Sequence, residues 1–111
     1  MKDDKLYLIH IIECIERIEE YTADGRESFM NSMLIQDAVL RNLQTMGQSI
    51  KNLSEIVKTA HPEIYWRGII ALRNVLVHGY LGVDLKQVWD IIEHDLPSFK
   101  DSIKTILSSM E

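Results

Sequence analysis

A single cysteine, Cys14, excludes an internal disulfide and fits a reducing cytoplasm. No apolar run approaches the roughly 20 residues that cross a bilayer, so no membrane span is expected. The start, Met1-Lys2-Asp3-Asp4-Lys5, lacks the basic-then-apolar plan of a signal peptide. Prolines number only two, Pro62 and Pro97. There is no alternating apolar run bounded by Asn-Gly or Asp-Gly, so no strand is predicted. There is no internal repeat. Also absent are a glycine-rich phosphate loop, a serine-centred elbow and an Asp/Glu cluster for magnesium. Any phosphate chemistry here would then rest on arginine and histidine rather than on a metal or another cofactor.

What is present is ordinary for a globular chain: 46% hydrophobic and 26% charged residues over 111 positions. That length predicts one domain, residues 1–111, with one modest core. The net charge of −5 argues against a surface built for duplex nucleic acid. Its distribution is uneven. Residues 1–34 carry 4 basic and 8 acidic side chains, residues 35–82 carry 5 and 3, and residues 83–111 carry 3 and 6. The mildly basic middle suits a local phosphate site.

Helical periodicity runs through the chain. Leu6, Ile9, Ile12, Ile15 and Ile18 recur every three residues, widened by Leu8 and Ile11, and predict a helix from about 3 to 22. Glu13, Glu16, Glu19 and Glu20 take its other, solvated side. Thr22-Ala23-Asp24-Gly25 breaks it. Asp24 and Glu27 have capping-box spacing for a short turn through Phe29, with Ser28, Asn31 and Ser32 as rival caps. Val39, Leu43, Met46, Ile50, Leu53 and Val57 alternate steps of four and three, predicting a long helix from about 32 to 59. Gly47 inside it suggests close approach of another backbone. His61-Pro62 ends it, and Pro62 suits the first turn of a third helix reaching about Val77. Gly79 is placed as its terminator. Asp84 and Gln87 form a capping pair for a fourth helix along Leu85, Val88, Ile92, Leu96, Phe99, Ile103 and Ile106. Pro97 either kinks that helix or restarts it with Asp95 or Leu96 as cap. The predicted fold is all-α, an up-and-down bundle of four main helices.

Chemistry concentrates in Ala71-Leu72-Arg73-Asn74-Val75-Leu76-Val77-His78-Gly79-Tyr80. Arg73 is a fixed cation whose planar fork suits phosphate oxygens. His78 has the side chain that exchanges protons most readily near neutral pH. Tyr80 supplies a hydroxyl that donates, accepts or takes a modification. Asn74 and His78 share a helix face, but Arg73 lies about 140° round from His78 on an ideal helix. Three closures are open: Arg73 reaches round, the helix unwinds at Val77, or two copies meet across a dimer axis. The plain alternative is that Arg73 and Asn74 tie down helix ends and His78 caps carbonyls. Trp66, seven residues before Arg73, is placed to pack in the core or to stack on a base. His10 and Cys14 have metal-ligand spacing, but no second pair accompanies them, and a buried thiol is the expectation.

Several stretches together resemble the HepT-type branch of the HEPN superfamily. They are Gln36-Asp37-Ala38-Val39, His61-Pro62-Glu63-Ile64-Tyr65-Trp66-Arg67, Arg73-Asn74-Val75-Leu76-Val77-His78-Gly79-Tyr80, Val83-Asp84, Val88-Trp89 and Leu96-Pro97. The resemblance covers nearly the whole chain. It implies a homodimeric helical bundle with the two signatures facing each other, and a toxin with metal-independent endoribonuclease activity. It also implies a nucleotidyltransferase-fold antitoxin of the MNT type, which neutralises the toxin by binding it or by transferring AMP to the signature tyrosine, here Tyr80. One departure stands out: Gly47-Gln48-Ser49 replaces the Gly-Glu-Ala often found in the family. This departure and the acidic net charge favour a second reading, a non-catalytic adaptor or nucleotide-binding partner of a nucleotidyltransferase.

Overall fold

The computed structural model describes residues 2–64, 66 and 84–110. Every regular element among them is helical. The all-α class is therefore the one the periodicity predicts. Most of the expected third helix and its terminator Gly79 lie outside the described residues.

Helix α1 spans Lys2–Tyr21. Its core line is not the one drawn from steps of three. Leu8, Ile11, Cys14, Ile15 and Ile18 are fully buried, while Leu6 is 65% and Ile9 38% exposed. The reason is angular. At about 100° per residue, each step of three falls about 60° short of a full turn, so a run of such steps winds off the buried face. Steps of three and four together hold the face, and Leu8, Ile11, Ile15 and Ile18 follow that rhythm.

Helix α2 (Arg26–Asn31) is one short piece. The expected Asp24–Glu27 capping box does not form; Gly25 is the cap, with φ +97° and no side-chain hydrogen bond. A left-handed backbone of this kind is cheap only for glycine. A Cβ there would meet no atom within 4 Å, so the cost of substitution is backbone strain alone. Gly25→Ala is expected to lower stability by about 1–3 kcal/mol, read as a lower midpoint in urea at unchanged slope. Gln36 finishes α2 from outside: its Nε2 donates to the carbonyls of Phe29 and Met30 at 3.0 and 3.1 Å.

Helix α3 spans Met33–Asn52, and Ser32 is its cap among the three rivals, accepting from Ile35 N at 3.2 Å. The predicted single helix of 32–59 is in fact two. The chain turns extended at Leu53 and Ser54 and resumes as α4, Glu55–Ala60. Asp4 of α1 is the cause. Its carboxylate, 3% exposed, accepts from Ser54 N at 2.8 Å and from Ser54 Oγ at 2.7 Å. Ser54 Oγ in turn accepts from Val57 N and caps α4. With Asp4 beside Ser54 and His10 beside Ser49, α1 and α3 run antiparallel. Gly47 is buried along α3.

Asp84 opens α5 (Leu85–Asp90), accepting from Lys86 N and Gln87 N as the capping pair predicts. Pro97 does not restart the helix behind a side-chain cap. Residues Ile91–Asp95 form a π turn, in which Leu96 N donates to Ile91 O, and α6 (Leu96–Ser109) follows directly. Asp95 is helical and makes no side-chain cap. Pro97 has no N–H to give, and the i→i+5 turn ahead of it takes up the mismatch. Val88, Ile92, Leu96, Phe99, Ile103 and Ile106 stay buried across the join. The α1 glutamates are not all free on the surface: Lys100 of α6 pairs with Glu19 at 2.8 Å and Glu16 at 3.7 Å. No described helix is long and apolar enough to cross a membrane.

Candidate functional site

Arg73, Asn74, His78 and Tyr80 lie outside the described residues, within 67–83. What the structure gives is the frame on either side of that segment. Upstream, α4 ends at His61, as the His-Pro pair predicts. Residues 62–64 then form a turn rather than the first turn of a helix. The His61 carbonyl closes it, accepting from Ile64 N at 3.2 Å and from Trp66 Nε1 at 3.1 Å. Downstream, the Asp84 cap fixes the start of α5. Val88 and Trp89 of α5 then enter the core, where Trp89 packs on Phe29 at 5.6 Å between ring centroids.

Trp66 is 7% exposed and packs edge-to-face against Phe99 at 6.1 Å. A ring so covered offers no free face to a nucleobase. Of the two placements open to it in the sequence, packing is the one the burial supports.

His10 and Cys14 do come together, but on each other. His10 Nε2 is 3.7 Å from Cys14 Sγ, and His10 Nδ1 is 2.6 Å from Ser49 Oγ. Burial pushes the Cys14 thiol up in pKa, with Glu13 adding to it and Arg17 opposing. The thiol is therefore protonated at neutral pH. His10 thus bridges the Cys14 thiol and the Ser49 hydroxyl through its two ring nitrogens. No cluster of three or more His, Cys, Asp or Glu side chains able to hold a metal occurs among the described residues. The departure at Ser49 thus has a structural partner in His10. Gln48 turns along its own helix and donates to Asn52 Oδ1 at 3.4 Å. Because Cys14 is fully buried and neutral, its alkylation in the native protein is expected to proceed only through unfolding. Iodoacetamide labelling at rising urea should follow the unfolding curve.

Comparison with known proteins decides the family. The family described as "Ribonuclease HepT-like" matches residues 11–106. The chain belongs to it. A "Probable ribonuclease HepT" of Thermococcus cleftensis is 38% identical, over 95% of this chain and 96% of its own length. A protein of Methanocaldococcus jannaschii named "Gamma-glutamylcyclotransferase and putative RNase MJ0434" is 40% identical over 99% of this chain. This chain spans only 50% of that protein's length. Another from the same organism, "Putative RNase MJ0127", is 32% identical over 99% of this chain and 92% of its own length. No solved structure matches the chain significantly. The HepT-like match runs across the whole segment that carries Arg73 to Tyr80.

Proposed function

We propose that this HepT-like chain is a metal-independent endoribonuclease and the toxin of a toxin–antitoxin pair. The observation that carries the reading is family membership over residues 11–106 with the Arg-x4-His-x-Tyr signature intact inside it. The attacking group is the 2′-hydroxyl of RNA, displacing the 5′-oxygen in line at the adjacent phosphate. His78 serves as general base for the hydroxyl proton or as general acid for the leaving oxygen. Arg73 stabilises charge building on the phosphoryl oxygens. Asn74 orients His78 or the phosphate, and Tyr80 contacts the substrate. The products are a 2′,3′-cyclic phosphate and a 5′-hydroxyl. Single-stranded or looped RNA is the substrate class, since its 2′-hydroxyls and bases are reachable.

Two copies of the chain make the working unit, with their signatures facing each other, which removes the angular conflict between Arg73 and His78 within one helix. An MNT-type nucleotidyltransferase is the antitoxin, acting by binding or by AMP transfer to Tyr80. The test is incubation of a single-stranded RNA with the purified protein in EDTA, with the product ends analysed. Ends bearing 2′,3′-cyclic phosphate are expected. Ends bearing only 3′-hydroxyl would sink the mechanism. Absence of cleavage by folded protein that carries no AMP on Tyr80 favours the adaptor reading, which the Gln48 departure and the acidic charge support. Expression without the antitoxin separates the two in cells: a toxin arrests growth and an adaptor does not.

A further inference from the structure

Helix α3 turns outward a face unlike the rest of the described surface. From Ala38 to Ser54 the sequence has no Asp or Glu, although the chain holds 17 of them. Arg41, Lys51 and Asn52 are exposed on that stretch, and Gln48 is half-buried. At about 100° per residue, Arg41, Gln48 and Asn52 fall within about 40° of one another, and Lys51 lies about 60° from Gln48. Together they form one stripe on the side away from buried Val39, Leu43, Met46 and Ile50. Arg41 and Lys51 stand about 15 Å apart along the axis, at about 1.5 Å per residue. Neither makes a salt bridge among the described residues. Lys58 of α4 adds a third cation at the Lys51 end, where its Nζ donates to the Lys51 carbonyl at 3.4 Å. Gln48 donates to Asn52 Oδ1, which leaves Asn52 with N–H groups to offer outward. The other long helices lack such a stripe. On α1 six carboxylates face three cations. On α6, Lys100 is tied to Glu19 and Glu16, and Lys104 stands three residues from Asp101.

We propose that this stripe of α3, formed by Arg41, Gln48, Lys51 and Asn52, binds the phosphate backbone of single-stranded RNA. It rests on the reading above that RNA is the substrate class. A row of cations and amide donors with no carboxylate among them suits a ligand whose negative charge repeats along its length. No aromatic residue occurs from Ala38 to Ser54, so no base can stack there. The stripe therefore holds the backbone and does not read sequence. Its charge is local, in keeping with a net of −5, and matches a short single strand rather than a duplex.

The test is binding of fluorescent 2′-O-methyl oligonucleotides, which cannot be cut through a 2′-hydroxyl, read by anisotropy across a salt series. Arg41→Ala and Lys51→Ala are each expected to weaken binding at least about threefold at low salt. Each should also make the fall of log K with log salt shallower by about 0.7. Oligo-U and oligo-A should weaken by the same factor, since a phosphate contact is blind to the base. Gln48→Glu puts a carboxylate into the stripe and is expected to weaken binding too. The changed side chains project from the helix surface, and circular dichroism checks that each variant is folded. Lys104→Ala, which removes an exposed cation from α6, should leave binding level. An equal loss in Lys104→Ala would overturn the proposal by making net charge the cause. So would unchanged binding in both Arg41→Ala and Lys51→Ala, or a parent that binds neither oligonucleotide. A poly-Glu peptide that binds the parent more tightly than the oligonucleotides, and is lost in the same variants, would assign the stripe to an acidic protein instead. Cleavage of unmodified RNA scores the ribonuclease reading separately. A parent that cuts RNA while both alanine variants bind as it does removes the stripe and keeps the nuclease. A parent that cuts nothing, but whose oligonucleotide binding falls in the variants, does the reverse.

Discussion

His78→Ala and Arg73→Ala are each expected to abolish RNA cleavage in EDTA while the helical circular dichroism signal is kept. Loss of a positioned general acid or base costs about 10²–10⁴ in rate. Loss of a donor aimed at a developing oxyanion costs about 10²–10³. Arg73→Lys is a sharper probe than alanine. It keeps the charge and loses the planar fork that engages two phosphoryl oxygens at once. If charge alone mattered, lysine would restore the rate. The signature reading predicts that it restores little. Both alanine variants cleaving at the parent's rate would remove Arg73 and His78 from the mechanism, whatever the fate of the ribonuclease assignment.

Asp4→Ala is expected to cause the largest loss of stability among single polar substitutions in the described residues. Its carboxylate is almost wholly covered and takes two donors of Ser54. Hydrogen bonds to a carboxylate contribute about 1.5–3 kcal/mol each, and removal of the acceptor leaves the half-buried donors of Ser54 without it. A total near 3 kcal/mol is expected, which for a domain of this size lowers the melting temperature by roughly 10 °C. Asp4→Asn keeps one acceptor and should lose about half as much. The coupling between Asp4→Ala and Ser54→Ala in a double-mutant cycle should fall between about 0.5 and 3 kcal/mol. A cycle that sums to zero would mean that the bond seen between them contributes nothing net. Ser54 starts α4, and α4 ends at the turn that leads into the signature.

The class of fold and most helix ends were legible in the residues, because steps of three and four are an unambiguous sign of a helix. What escaped was long-range or angular. The break between α3 and α4 is invisible to periodicity because Leu53 and Val57 stay buried on either side of Ser54, keeping the rhythm across it. Its cause, Asp4, lies 50 residues away and leaves no local mark. A serine followed by an acidic residue in the middle of the seam was the available hint, since Ser54-Glu55 is a good helix start. The π turn left no such sign: Val88, Ile92 and Leu96 step by four twice, which drifts only about 80° on an ideal helix and fits one buried face without a widened turn. The site was legible as residue types and spacing. Its geometry was not, because Arg73 and His78 do not converge on one ideal helix. The anchoring of Trp66 depends on a backbone carbonyl, which no side-chain pattern encodes.

The antiparallel pairing of α1 with α3 also sets an order of assembly. The connection at Thr22–Ser32 brings the near ends together at once, and the Asp4–Ser54 bond closes the far end across 50 residues. Long loops pay more entropy to close, so this bond forms late in the pairing of the two helices. On a ribosome both of its partners have nevertheless been made before Arg73 and His78 are added. Synthesis thus delivers the clamp between α1 and the start of α4 ahead of Arg73 and His78, while α5 and α6, which complete the core, follow them.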